Sequence, residues 1–236
     1  MKELIRHVRR WLRCLIGKDI WLHPELEVAT EFHGTDYGGW AIVHDSLHPA
    51  SIIYSFGIGE DASFDLGLIA RYGCLVQAFD PTPKSLAWVA AHIGDARFRM
   101  HPWALGGSDG SLRLFLPKNR EHVSASLFAS SLMSDDYFDA ECYRLTTVMQ
   151  KLNHQHIDVL KLDIEGAEYE VIADLCSSGR IRQVDQLLVE FHHWMPSIRV
   201  NSTKMAVTQL RQAGFRLLWV SRTGHEALFR YLPEST

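Results

Sequence analysis

The sequence predicts an α/β protein of the Rossmann-like, doubly wound kind, a mostly parallel sheet with helices on both faces, and three segments carry that prediction. Ile157-Asp158-Val159-Leu160-Lys161-Leu162 is a mainly apolar run ending in Asp163-Ile164-Glu165-Gly166-Ala167-Glu168. A strand buried on both sides belongs in the middle of a parallel sheet, and ligand crevices open at the carboxyl ends of such strands. Upstream, Ile52-Ile53-Tyr54-Ser55-Phe56 runs into the turn Gly57-Ile58-Gly59. About twenty residues further on, Val76-Gln77-Ala78-Phe79 ends in Asp80, the spacing of a nucleotide-type cofactor site.

Length and composition agree with one soluble α/β domain: 236 residues, 47% hydrophobic and 22% charged. A net charge of −4 argues against a broad nucleic-acid footprint. Cys14, Cys74, Cys142 and Cys176 are scattered through apolar stretches without a C-x-x-C pair, as free thiols in a reducing, cytoplasmic setting are.

The first eighteen residues alternate Lys2, Arg6, Arg9, Arg10, Arg13 and Lys18 with Leu4, Ile5, Val8, Trp11, Leu12, Leu15 and Ile16. Three- and four-residue steps put the apolar set on one face of a basic amphipathic helix. Such a helix packs on its own domain, pairs with a second copy, or lies on an anionic membrane surface. No uninterrupted apolar core follows the charges, so a secretory signal fits badly. Residues 1–45 are read as this helix and an extension that includes the apolar run Trp40 to Val43; residues 46–236 are read as the main domain.

Within that domain the expected order begins with a strand at 51–56, a helix at 61–71, a strand at 74–79 and a helix at 84–92. Short strands at 97–101, 103–105 and 111–116 follow, the last two joined across Gly106-Gly107-Ser108-Asp109-Gly110 as a hairpin. Residues 117–142, rich in Ser and Asp, read as a loop or lid. An ordered segment at 143–152, the strand to Asp163, a helix at 167–175, a strand at 186–191, a helix at 203–213 and apolar runs at 215–220 and 227–232 complete the pattern.

The chemistry follows from these positions. Gly57 and Gly59 let the backbone turn sharply and approach a cofactor, with Ala62 at the third fingerprint position. Glu60 and Asp61 place negative charge where a pyrophosphate would sit, which favours S-adenosylmethionine (SAM) over NAD. Asp80 is placed to accept from ribose hydroxyls, or to cap the turn Asp80-Pro81-Thr82-Pro83. Trp103 and Ala104, past the third strand, are placed to border the adenine.

Ser55-Phe56-Gly57-Ile58-Gly59, Ala104-Leu105-Gly106-Gly107-Ser108-Asp109-Gly110-Ser111, Leu160-Lys161-Leu162-Asp163-Ile164-Glu165-Gly166-Ala167-Glu168 and Val189-Glu190-Phe191-His192 together resemble the FkbM-type SAM-dependent methyltransferases. The resemblance spans about residues 50–222, and the D-x-E-G-x-E block with the later E-x-H is its most specific part. It implies the class I methyltransferase fold, a seven-stranded sheet with the last strand antiparallel, and O-methylation of a small molecule or sugar. It also implies Ser55 as a cofactor residue, and Ser124 and Ser126 as a serine-bearing loop touching acceptor or cofactor. The glycine turn is more acidic here than the family form.

Methyl transfer needs an acceptor oxygen in line with the S–CH3 bond and a group to take its proton. His192 is the expected base, with Asp163 and Glu190 beside it and Glu165 on the rim. Asp163 serves acceptor or cofactor, Glu168 serves the helix dipole or the rim, and His193 points elsewhere. The site is expected to work without metal, although Asp163, Glu190 and His192 are the set that would hold a divalent ion if they converge. The competing readings are a non-catalytic SAM-binding scaffold and an NAD-dependent oxidoreductase.

Overall fold

The computed structural model describes residues 2–117 and 133–233. Ser124 and Ser126 lie outside the described residues. The chain opens with α1 (Lys2–Leu15) and a two-stranded unit, β1 (Thr30–His33) and β2 (Trp40–Val43). The alternating part runs β3 (Ile52–Phe56), α2 (Ser63–Tyr72), β4 (Leu75–Phe79), α3 (Pro83–His92) and β5 (Phe98–His101). Then come β6 (Ala104–Leu105), β7 (Gly110–Pro117), β8 (Met133–Tyr143) and α4 (Leu145–Lys151), followed by β9 (Ile157–Leu162), α5 (Glu168–Ser177), β10 (Val184–Glu190), α6 (Val200–Gln212), β11 (Phe215–Val220) and β12 (Glu226–Tyr231).

Seven strands form one sheet in the order β11-β12-β10-β9-β3-β4-β5, with β12 antiparallel to both neighbours. This is the class I methyltransferase arrangement that the sequence led us to expect. Alternate residues of each strand feed two cores. Tyr54, Phe56, Leu160 and Leu162 face one core with side chains of α4, α5 and α6. Ile53, Val76 and Val159 face the other, built with α2, α3 and β2. Element ends follow local chemistry: Gly73, in the left-handed region at φ 71°, closes α2, and Pro83 opens α3 where a missing N–H costs nothing.

The middle of the chain corrects two expectations. The glycine run at 106–110 does not fold β6 and β7 into a hairpin; both pair with β8, on opposite sides, in the order β6-β8-β7. Glycine, Ser and Asp mark a tight reversal but not which strand is the partner. Residues 133–142, expected within a loop at 117–142, belong to the long strand β8. Its period of two is masked by acidic residues: Ala140 and Cys142, with Phe138, face a small third core, while Asp139 and Glu141 face water.

The segment before the sheet is packed onto it. Every residue of β2 is buried, and Trp40, Ile42 and Val43 join the second core. Gln186, 2% exposed in β10, accepts from the Val43 amide at 2.8 Å and donates to Ser46 Oγ at 2.9 Å. The helix α1 is anchored by Arg10, which donates to Ile20 O at 3.2 Å and lies 4.7 Å from the Trp21 ring centre. Its described apolar residues Val8, Trp11, Leu12 and Leu15 are exposed, so this face does not pack on the domain. Among the described residues no helix is long and apolar enough to cross a membrane.

Replacing Gln186 by Leu strands the Val43 N–H without an acceptor. We expect a loss of about 1–3 kcal/mol in urea unfolding; Ser46→Ala, which keeps the Gln186–Val43 bond but takes the acceptor from Gln186 Nε2, should cost about 1 kcal/mol.

Candidate functional site

The sheet order reverses direction between β3 and β9, and the carboxyl ends of these strands frame the crevice expected at such a switch point. The two ends are nearly in backbone contact. Gly57 sits at φ 81°, and a Cβ there would lie 1.8 Å from Asp163 O, so no other residue fits this approach. Lys161, 5% exposed in the middle of β9, extends along the same gap. Its Nζ donates to Gly57 O at 2.7 Å and Phe56 O at 3.4 Å, lies 3.6 Å from Asp163 Oδ2 and sits 5.4 Å from the Trp40 ring centre. A buried ammonium thus fixes the glycine turn to the strand that ends in Asp163.

On the β4 side, Asp80 clamps the same turn. Its Oδ2 accepts from Ile58 N at 3.1 Å and Gly59 N at 2.9 Å. Oδ1 accepts from Thr82 N at 2.9 Å and Thr82 Oγ1 at 2.6 Å. The carboxylate therefore both caps the following turn and shapes the glycine turn, and its acceptor positions are filled by its own chain. Asp61 is likewise committed: its oxygens accept from Thr35 Oγ1 at 2.7 Å and Ser63 N at 2.8 Å. Burial pushes the Asp61 carboxyl up, but those hydrogen bonds outweigh it and hold it below the usual range. Glu60 pairs with Lys84 at 2.9 Å.

Ser55, expected to touch cofactor, is fully buried behind the turn as the register partner of Lys161, on the face where α2 packs. Strand alternation explains the difference: Phe56 takes the opposite face. Beneath the crevice Phe56, Phe79 and His101 stack across β3, β4 and β5 with ring centres 4.1 and 4.9 Å apart. Trp103 extends the stack, 4.7 Å from His101, and is half-buried at its edge, while Ala104 is buried in the third core.

On the β9–β10 side the expected catalytic residues converge. His192 Nε2 lies 3.8 Å from Asp163 Oδ1, 3.7 Å from Glu165 Oε2 and 3.9 Å from Glu190 Oε1. Glu165 reaches this place from the left-handed region, φ 51°, an uncommon backbone for a residue with a side chain. Glu168, fully buried, accepts from Gly166 N and His192 N, both at 2.9 Å, and its Oε1 lies 3.3 Å from His192 Nδ1. Burial alone would lower the His192 pKa; the bond to Glu168 and the charges of Glu168, Glu190 and Glu165 outweigh it and raise it to about 10. Burial and the Asp163 charge push Glu190 up to about 8 against the pull of His192. In the ligand-free crevice His192 therefore already carries a proton and does not present the free base expected of it.

Lys161 and Tyr37 escaped the sequence reading, and Glu168 has a role beyond the helix dipole or rim expected of it. Lys161 was absorbed into an apolar strand, yet a lone lysine in such a run is itself the signal. Glu168 read as a helix-dipole residue is also the partner that orients His192. Tyr37, 94% exposed on the β1–β2 loop, has its pKa raised by partial desolvation and, to a smaller degree, by the charges of Asp163, Glu190, Glu165 and Asp61. His193 is structural, with Nε2 3.0 Å from Asp19 Oδ1 and Nδ1 3.0 Å from Thr203 Oγ1.

The model of the methyltransferase FkbM domain family matches residues 55–217, well over half of the chain. The chain belongs to this family. The chain is 28% identical over 186 residues to the probable methyltransferase-like protein 24 of Homo sapiens, covering 75% of this chain and 44% of that protein. The rat counterpart, from Rattus norvegicus, is 28% identical over 159 residues, covering 66% and 37%. The chain thus spans less than half the length of these relatives. Among solved structures, Aeropyrum pernix fibrillarin with bound S-adenosyl-L-methionine superposes with a TM-score of 0.44 at 9% identity, over 92% of this chain and 86% of that one. The N-terminal domain of human METTL16 gives 0.44 at 9% identity, over 81% and 65%. The fold of the FkbM domain rests on its own strand order.

Gly57→Ala must push apart β3 and β9, and we expect it to cost on the order of 4 kcal/mol in chemical denaturation. Gly179→Ala has the same sign of φ with nothing within 4 Å of the new Cβ, and should cost only about 1–2 kcal/mol.

Proposed function

We propose that this domain is a SAM-dependent methyltransferase that transfers methyl to an oxygen of a small-molecule or glycan acceptor. The observation that carries the reading is the use of the turn amides. Ile58 N and Gly59 N, the donors that would cradle a pyrophosphate, are spent on Asp80. The mouth of the crevice instead presents the carboxylates of Asp163, Glu165 and Glu190, which suits a donor with a sulfonium and an ammonium group and disfavours NAD. The residues present fit SAM: a glycine turn open to close approach, an aromatic edge at Trp103, and acidic groups on the side where positive charge would lie.

Bound there, SAM supplies an electrophilic methyl carbon. The protein's own contribution is to align the acceptor hydroxyl and manage its proton as the C–O bond forms and the C–S bond breaks. Asp163 and Glu190, at the ends of adjacent strands β9 and β10, flank the acceptor position. Glu190 in its ionised form, the more basic for its raised pKa, takes the acceptor proton, and His192, held in place by Glu168, faces the oxygen as negative charge develops on it. Tyr37 overhangs the same place and contacts the acceptor.

Calorimetric titration with SAM, S-adenosylhomocysteine and NAD tests the cofactor. We expect both sulfur compounds to bind and NAD not to; binding of NAD, or of none, would overturn the reading. Because Asp80 shapes the turn from within, Asp80→Asn should weaken S-adenosylhomocysteine binding and also lower stability by about 1.5–3 kcal/mol. A carboxylate that met only a ribose would change binding alone. His192→Ala should leave S-adenosylhomocysteine affinity within about threefold while slowing transfer by about 100-fold or more. Unchanged transfer in that variant would overturn the role given to His192, whereas binding without transfer to any acceptor of a hydroxyl panel would favour the scaffold reading.

A further inference from the structure

The gap in front of His192 has the shape of a coordination site. We propose that Asp163, Glu190 and His192, with Glu165 at the rim, hold a divalent cation of the Mn2+ kind at the acceptor side of the crevice. The inference rests on the cluster geometry and holds whichever cofactor occupies the glycine turn.

Four observations support it. The Asp163, Glu190 and His192 ligand atoms lie within 4.8 Å of one another, and His192 Nε2 is 3.8 Å from Asp163 Oδ1 and 3.9 Å from Glu190 Oε1, under the roughly 4.2 Å that two bonds of about 2.1 Å to one ion can span. The His192 side chain is only 2% exposed, and its Nε2 points into the cluster with no hydrogen bond among the described residues. The distances to three carboxylates are 3.7, 3.8 and 3.9 Å, nearly equal and all too long for hydrogen bonds. An imidazolium acting alone would draw one carboxylate to about 2.7–2.9 Å; ligands arranged around a common ion stand apart, as these do. Finally, Glu168 lies 3.3 Å from Nδ1 and is itself fixed by the Gly166 and His192 amides. With Nδ1–H given to a carboxylate, the proton on Nε2 is the one a divalent ion displaces, which leaves that nitrogen's lone pair to the metal, the usual support of a metal-bound histidine.

The donor set selects the ion. Carboxylate oxygens suit Mg2+, Ca2+ and Mn2+, whereas one imidazole favours a transition ion over the first two. Such an ion neutralises a pocket that otherwise gathers three carboxylates, and it takes an acceptor oxygen as a further ligand, lowering the pKa of that hydroxyl. A Glu190 that ligates through one oxygen keeps the other for the acceptor proton.

The test uses the full chain and Mn2+ alone, followed by electron paramagnetic resonance, with no acceptor present. We expect saturable binding of one ion per chain and a nitrogen coupling from a single imidazole. His192→Ala should remove that coupling and weaken binding by about 100-fold, and Glu168→Gln should weaken it by about 10-fold through loss of ring orientation. Glu190→Ala, should His192→Ala fail to fold, must also abolish saturation. His156→Ala is the control, since His156, Asp158 and Asp185 form another such group away from the crevice; it should change nothing. Absence of saturable binding, a bound ion without nitrogen coupling, or binding lost in His156→Ala instead would overturn the proposal. S-adenosylhomocysteine titrated against the same variants reports separately on the glycine turn, so a failed metal site and a failed cofactor reading are told apart.

Discussion

The crevice depends on a lysine buried where the sheet divides. Lys161 stands in β9 with its ammonium on the carbonyls of Phe56 and Gly57 and beside Asp163. A buried charge is costly unless it is paired and hydrogen-bonded, and here the carbonyls at the end of β3 and the carboxylate at the end of β9 meet that demand together. The lysine therefore couples the two strand ends, whose contact already requires glycine at position 57. Below it, Asp65 is wholly buried; its burial raises its pKa to about 6 against the pull of Lys161. The turn that would meet a cofactor and the acid that begins the acceptor side are positioned by one side chain.

From that point the edge separates into two chemically different halves. Toward β4 the acids are consumed internally: Asp80 by the turn amides and Thr82, Asp61 by Thr35 and Ser63. Their charges maintain backbone shape. Toward β10 Asp163, Glu165 and Glu190 gather 3.7–3.9 Å from His192 Nε2, and Glu168 orients the ring from its other nitrogen. Chains of this kind, in which a buried carboxylate fixes an imidazole that faces less committed carboxylates, keep a polar site rigid while leaving its centre open.

Much of this was legible in the residues. The alternating core strands, the glycine turn and the convergence of Asp163, Glu190 and His192 follow from runs of apolar residues ending in polar ones, a signal that survives without tertiary context. What was not legible has a common cause, which is that one residue pattern serves two structures. Glycine with Ser and Asp marks a reversal whether β6 and β7 pair with each other or with β8. An acidic strand such as β8 looks like a loop because its outward face supplies most of its residues. Ser55 and Asp80 were placed at the right strand ends, but only side-chain direction shows that one lies behind the turn and the other is engaged by it.

The loop that carries Thr35 and Tyr37 joins β1 to β2, and both strands precede the segment matched by the family. It is fastened by Thr35 to Asp61 and by Val43 to Gln186. The loop thus lies outside the matched segment while Asp163, Glu190 and His192 lie within it. Substitutions at its tip can reshape the surface beside the glycine turn without touching the residues that converge on His192.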